Sequence, residues 1–382
     1  MIININKIFS MLFLVIYFVV PKSLDFHIPG EEFSEIGNYL SLWKYQRIII
    51  FCLCVFYLIV LGFHWLKKSS NSYNVSFFVL LFSLLPIFYF LTGYEVLYGL
   101  IGSITALVFI DNSRYNNFIN PKYISIIFML YIIQYLFYKV GGRNTSSFLD
   151  PNISGYYLFL IYCLLRAINT KYSILLALIS IFFGVMSLSR NFILAVFLFE
   201  LFVVFHFVFK EGLFKRLITG FNVSVLSVIL VMVGSYYIAE YSSINDVITD
   251  SSERYLNIED GSNYLRALAN IDFFIRIMDG EFIFYGNGSA IDSFTSHRPH
   301  NAFFRAIYRY GLIPSLFMFV VFIIVFNRFV NVSKYSFALL LSVFAYYSIL
   351  NDFITGPELV LLSIILTLIN TIDTLKRSKN EN

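Results

Sequence analysis

The chain has 382 residues, of which 59% are apolar and only 13% charged, with 45 Phe and 28 Tyr and a mean hydropathy of +0.77. Soluble domains carry roughly 45–50% apolar and about 25% charged residues, so a string of water-soluble domains is excluded and a polytopic membrane protein is expected. A formal charge of +4 is too small and too dispersed for a nucleic-acid binder, and Cys52, Cys54 and Cys163 all lie in apolar runs, which excludes a disulfide framework or a cysteine zinc site.

A membrane-crossing helix takes about 20 residues. In chain order the apolar runs predict spans near 5–21, 46–66, 75–93, 94–110, 122–138, 153–169, 172–188, 191–209, 217–239, 310–327, 335–350 and 358–372. The first run ends at Val20-Pro21-Lys22 without an A-x-A cleavage site and reads as an uncleaved span. The stretch from Val75 to Ile110 is too long for one helix, and Thr92-Gly93-Tyr94-Glu95 splits it into a tight hairpin. The fold class expected is therefore an all-α membrane protein of about twelve transmembrane helices. Residues 1–239 hold nine of them, 240–309 form one large outer loop, and 310–382 hold the last three and a tail.

Twelve spans put both termini on one side. That side collects 15 of the 27 Lys and Arg but only four of the 23 acids, for a net +11 against −6 on the other, which makes the termini cytoplasmic by the positive-inside rule. On the outer side arginines outnumber lysines, and all six basic residues of the long loop are Arg (254, 266, 276, 298, 305 and 309). Arginine offers a planar fork for phosphate oxygens, whereas lysine is a point charge; selection against outer lysine explains the bias equally well.

Within the transmembrane part, Asp150-Pro-Asn152 reads as a helix-start turn. Ser187-Leu-Ser-Arg190-Asn191 joins two spans with almost no loop and leaves Arg190 at bilayer depth, where an ionisable residue is a functional candidate unless it snorkels. Glu200, ten residues deeper, is either its counter-ion or a partner of another helix. His64 and His206 lie near cytoplasmic span ends and read as interfacial packing.

In the outer loop, Asn263–Asp279 scans as an amphipathic helix, with Ser262 as N-cap and Gly280 as stop. Leu268, Ile271, Phe274, Ile275 and Met278 fall on one arc; Arg266, Asn270, Asp272 and Arg276 share the other side. Such a helix either lies on the membrane surface or turns its polar face to a cavity. Asp279-Gly-Glu281 has the D-x-E spacing of some metal-dependent glycosyltransferases and is equally a turn. Tyr285-Gly-Asn-Gly288 is a G-x-G turn without the strand and helix that would make it a phosphate cradle. In Ser296-His-Arg-Pro-His300-Asn301 two histidines are three apart, but Pro299 between them and the lack of a third ligand predict no metal site, and no cofactor is expected. Helical continuation from His300 would put Asn301, Arg305 and Arg309 on one stripe at the mouth of the next span.

Three of these stretches together resemble the O-antigen polymerase and O-antigen ligase family of membrane glycosyltransferases. Ser189-Arg190 looks like the family's S-R element at a span end, and Arg266 sits like the arginine preceding its G-x-G turn. His300-Asn301, nine residues before Gly311, looks like the ligase pattern H-[NSQ]-x9-G-x-x-[GTY], although Pro314 occupies its last position. The resemblance implies a GT-C-like architecture with a large periplasmic loop in the bacterial inner membrane. It implies an inverting, metal-independent polymerase that moves glycan from undecaprenyl diphosphate onto a lipid-linked repeat unit, with membrane lipids and a chain-length regulator protein as further partners. His300 would be the general base, its pKa lowered by Arg298 and Arg305, with His297 as an internal control; capping of the next helix is the alternative role for His300. Arg190, Arg266, Arg276, Asn301 and Arg305 would hold the diphosphate and substrate. A ligase or another lipid-linked-sugar transferase, and a repeat-unit flippase or transporter, are the other functions such a chain would fit.

Overall fold

The computed structural model describes residues 2–28, 39, 41–68, 94–112, 119–140, 142–210, 218–241, 261–287, 299, 301–349 and 355–380. About four-fifths of these residues are helical. Among the described residues there are thirteen helices: α1 (Ile2–Phe18), α2 (Trp43–Lys68), α3 (Tyr94–Asn112), α4 (Pro121–Phe137), α5 (Pro151–Ile168), α6 (Lys171–Met186), α7 (Arg190–Lys210), α8 (Gly220–Tyr241), α9 (Gly261–Met278), α10 (Ala302–Tyr310), α11 (Leu312–Phe329), α12 (Lys334–Ile349) and α13 (Gly356–Asn380). Eleven of the expected spans fall on a helix to within three residues, except that α13 runs eight residues past the expected end at 372; the run 75–93 and its Thr92-Gly93 break lie outside the described residues. Among the described residues five helices, α2, α3, α8, α11 and α13, are long and apolar enough to cross a membrane.

Local chemistry sets the helix ends. Asn120 and Asp150 cap α4 and α5 ahead of a proline in the first turn, where the missing N–H costs nothing. Thr170 and Ser173 form a capping box at α6, and Asn169 closes α5 with φ +53°. Helices α5 and α13 are buried on nearly every face and form the centre of the bundle. Helices α6 and α8 turn Leu175, Leu178, Phe182, Val225, Ile229 and Val233 outward, as side chains facing lipid do. This is the exterior of a membrane-embedded protein.

Contacts between helix termini sort them into two sets. At one end Asn6 at the start of α1 donates to the Asn112 carbonyl at the end of α3, the N–H of Gly220 at the start of α8 donates to Asn327 at the end of α11, and Lys376 of α13 donates to the Ala167 carbonyl at the end of α5. At the other, Gln134 near the end of α4 donates to the Phe18 carbonyl of α1. The starts of α2, α3, α5, α7 and α13 gather there too, together with a small sheet. In it β1 (His27–Ile28) runs parallel to β2 (Tyr138–Val140), which pairs antiparallel with β3 (Arg143–Thr145). This second end is where the charge count places the outer face.

Helix α9 begins one residue before the expected cap, at Gly261, and its two faces are reversed relative to a simple apolar-inward packing. Ala267, Asn270 and Phe273 are buried, whereas Phe274, Ile275 and Met278 of the larger apolar arc are exposed. Asn270 donates to Ser235 of α8, and Phe273 packs on Phe304 and Tyr308 of α10 at ring distances of 5.8 and 5.7 Å.

Candidate functional site at one end of the bundle

The start of α5 is the hub of the outer end. Asp150 accepts the N–H groups of Asn152 at 2.7 Å and Ile153 at 3.2 Å, which fixes the first turn. Asn152 then meets two other elements: its Oδ1 accepts from Ser189 Oγ at 3.4 Å, and its carbonyl accepts from the Tyr346 hydroxyl of α12 at 2.8 Å. The approach requires Gly155, where a Cβ would stand 2.9 Å from Ser189 Oγ and 3.2 Å from the Tyr346 hydroxyl. The short α6–α7 connection is made possible by Leu188 at φ +52° and by Ser187, which donates to the Gly184 carbonyl. Arg190, half-buried, is the first residue of α7.

Arg266, half-buried on α9, is the charged group that acts on Asp150. Burial pushes the Asp150 carboxyl above its ordinary value, against the pull of the two N–H groups and of Arg266. The outer-loop arginine and the Ser189-Arg190 turn are therefore brought to the same helix start, although 76 residues separate them in sequence.

Helix α10 supplies the rest. Asn301 is its N-cap and not part of a helical stripe: its Oδ1 accepts from the N–H groups of Phe303 and Phe304, the side chain is fully buried, and its Nδ2 has no partner. The cap is thus Asn301, which removes helix capping as the role of His300. The stripe reduces to Arg305 and Arg309, because the Asn301 backbone is extended and lies before the helix; α10 stops at Gly311 with φ +92° and the chain restarts as α11. Arg309 closes on Glu95 at the start of α3, with Nη2 2.5 Å and Nε 3.1 Å from Oε2, and Arg47 of α2 reaches the same oxygen at 2.7 Å. This two-arginine carboxylate was not foreseen; its signal was Glu95, an acid at the mouth of an apolar run.

Other expectations resolve differently. Arg276 pairs with Glu281 at 2.7 Å and lies over the Phe282 ring at 4.9 Å, so it closes the C-terminal end of α9. Gly280 at φ +88° and the bond from the Glu281 N–H to the Arg276 carbonyl make Asp279-Gly-Glu281 the turn that ends that helix. Gly286 is pressed on the Arg309–Tyr310 backbone, where a Cβ would collide, and Asn287 N–H donates to the Tyr308 carbonyl; these residues of the G-x-G turn serve packing against α10. Glu200 is held by Arg166 at 2.7 and 2.8 Å and by Tyr162 at 2.6 Å, and it stands ten residues along α7 from Arg190, about 15 Å at helical rise. It is the partner of another helix and not the counter-ion of Arg190. His206 stacks edge-on against Phe337 at 5.2 Å. His297, Arg298 and His300 lie outside the described residues. Lys22, fully buried at the outer end, gives its ammonium to the carbonyls of Tyr17 and Val20 and lies over the Phe148 ring, and so ties off α1.

No protein-family model, curated protein or solved structure matches this chain.

Proposed function

We propose that the chain is a surface-polysaccharide polymerase of the O-antigen type, working at the periplasmic face of the bacterial inner membrane with both termini in the cytoplasm. What supports this reading most is that the Ser189-Arg190 turn docks on the start of α5, that Arg266 acts on Asp150 there, and that the helix of Arg266 packs on α10, which carries Arg305. Two forks near one point suit a diphosphate, whose departure needs its charge held in a site shielded from water. A hydroxyl of the incoming lipid-linked repeat unit attacks the anomeric carbon of the growing chain with inversion. The bond to the undecaprenyl diphosphate oxygen breaks, its electron pair stays on the diphosphate, and the hydroxyl proton passes to His300 as general base. The lipid carrier enters from the membrane, and a chain-length regulator would bind alongside.

One observation favours the ligase as a second reading. The spacing of H-[NSQ]-x9-G coincides with α10, nine residues capped by Asn301 and stopped by Gly311. The glycan ladder of a deletion strain separates the two. Lipopolysaccharide carrying a single repeat indicates a lost polymerase, and uncapped core with polymer retained on the carrier indicates a lost ligase. An unchanged ladder would end both readings.

A further inference from the structure

Among the described residues three buried tyrosine hydroxyls have no hydrogen-bond partner: Tyr135 near the end of α4, Tyr17, fully buried near the end of α1, and Tyr98, 2% exposed in the second turn of α3. A buried hydroxyl left unbonded is costly, and an unsatisfied group in a native fold calls for an explanation. Tyr17 and Tyr98 feel one carboxylate: Glu358, in the first turn of α13, is the foremost charge acting on Tyr17, Tyr98 and Tyr157 alike. The geometry comes from glycines. Gly102 admits the backbone of Gly356 and Pro357 where any side chain would collide, and a Cβ at Gly356 would stand 3.3 Å from the Gly99 Cα and 3.7 Å from Glu358 Oε2. The carboxylate is thereby folded back over the helix start, towards the residue that follows Tyr98. Unlike the two phenols, Glu358 is only half-buried.

We infer that Glu358, Tyr17 and Tyr98 form a recognition site for the sugar hydroxyls of the lipid-linked substrate, distinct from the arginines that would take its diphosphate. A carboxylate repels phosphate but accepts several hydrogen bonds, and a phenol hydroxyl both donates and accepts. A hydroxyl-rich neutral ligand would satisfy the two phenols and can donate to the carboxylate. The flanks suit a sugar ring: Tyr157 packs on Tyr17 at 5.8 Å, and Arg47 lies over Tyr98 at 4.6 Å while joining Glu95 and Arg309. Through Arg309 the site adjoins α10, one turn from Arg305, so sugar and diphosphate would be bound side by side.

This inference rests on the polymerase reading but is tested apart from it. Purified protein is melted in detergent with undecaprenyl-diphosphate-linked repeat units extracted from the deletion strain, and separately with undecaprenyl diphosphate bearing no sugar. Wild type should be stabilised more by the glycosylated lipid. Tyr17→Phe with Tyr98→Phe, and Glu358→Gln, should lose that difference and keep the response to the bare lipid. Without ligand, the double Phe variant should melt no lower than wild type, because the hydroxyls it loses are unbonded. Tyr57→Phe, which breaks a 2.7 Å bond to Asn6 at the opposite end, should melt lower yet retain the glycan difference. In cells, the double Phe variant should shorten chains about tenfold or more, the order of a lost hydrogen-bond pair. Equal stabilisation of wild type by the two lipids, or variants that discriminate as wild type does, would overturn the inference; the deletion ladder decides the polymerase reading independently.

Discussion

The Ser189-Arg190 turn and Arg266 come to the start of α5 from different elements, and the choice of arginine over lysine is testable there. Arg→Lys at either position keeps the charge and loses the fork, so chain elongation should fall about ten- to a hundredfold, the equivalent of about 1.5–3 kcal/mol, at unchanged membrane abundance. Normal ladders in both variants would mark them as topological or packing residues. With Asn301 occupied as the cap, His300 is free to be tested as a base: His300→Ala and His300→Gln should both abolish polymer, and His297→Ala should be mild. A polymerising His300→Gln would exclude proton transfer at that position. Asp150 carries a pH prediction. Because burial raises its pKa, its protonated form favours the fold below the ordinary aspartate range near 4, and that contribution is lost as pH rises through the folded value. Asn preserves the cap. Asp150→Asn should therefore melt above wild type at neutral pH, the gap closing as pH falls below about 4; a gap that stayed constant across that range would contradict the assigned shift.

At the scale of elements, the junction of α10 and α11 depends on backbone contact. The segment after α9 runs beside it, with the N–H groups of Leu312 and Ile313 donating to the carbonyls of Phe282 and Ile283. Gly311 sits at φ +92°, and a Cβ there would stand 2.9 Å from the Phe284 backbone. Gly311→Ala combines left-handed strain with a backbone clash, together on the order of 1–3 kcal/mol or more, and should lower both melting temperature and ladder length. Wild-type stability would show that this junction relaxes without cost. The exposed arc of α9, Phe274, Ile275 and Met278, has the character of a helix resting on a membrane interface, while its opposite face brings Arg266 towards the site. The two sequence readings of this helix are thus compatible.

For the whole molecule, sidedness is the decisive measurement. Single cysteines at Asp279 and at Tyr172, both exposed, in a background without Cys52, Cys54 and Cys163 lie on opposite sides if the charge count holds. The first should react with an impermeant thiol reagent in cells with a permeabilised outer membrane, and the second only after the inner membrane is opened. The reverse pattern would invert the topology.

Helix positions were legible in the chain because runs of apolar residues are long and their polar breaks sharp. Arg166 with Glu200, and Arg47 and Arg309 with Glu95, were not legible, since such pairs join residues 34 to 214 apart in sequence. The same holds for which helices are central. Helix α5, buried all round, and α6, largely exposed, both read as uniformly apolar, because lipid and protein interior reward the same side chains and leave no periodicity to tell them apart. Local order along the chain determined the membrane class, the helix starts and stops, and the arginine-rich outer loop, for these depend on composition and on caps a few residues long. The tertiary structure alone decided that the Ser189-Arg190 turn and Arg266 come to the helix start capped by Asp150, because that outcome turns on close approach between segments distant in sequence, at glycines such as Gly155.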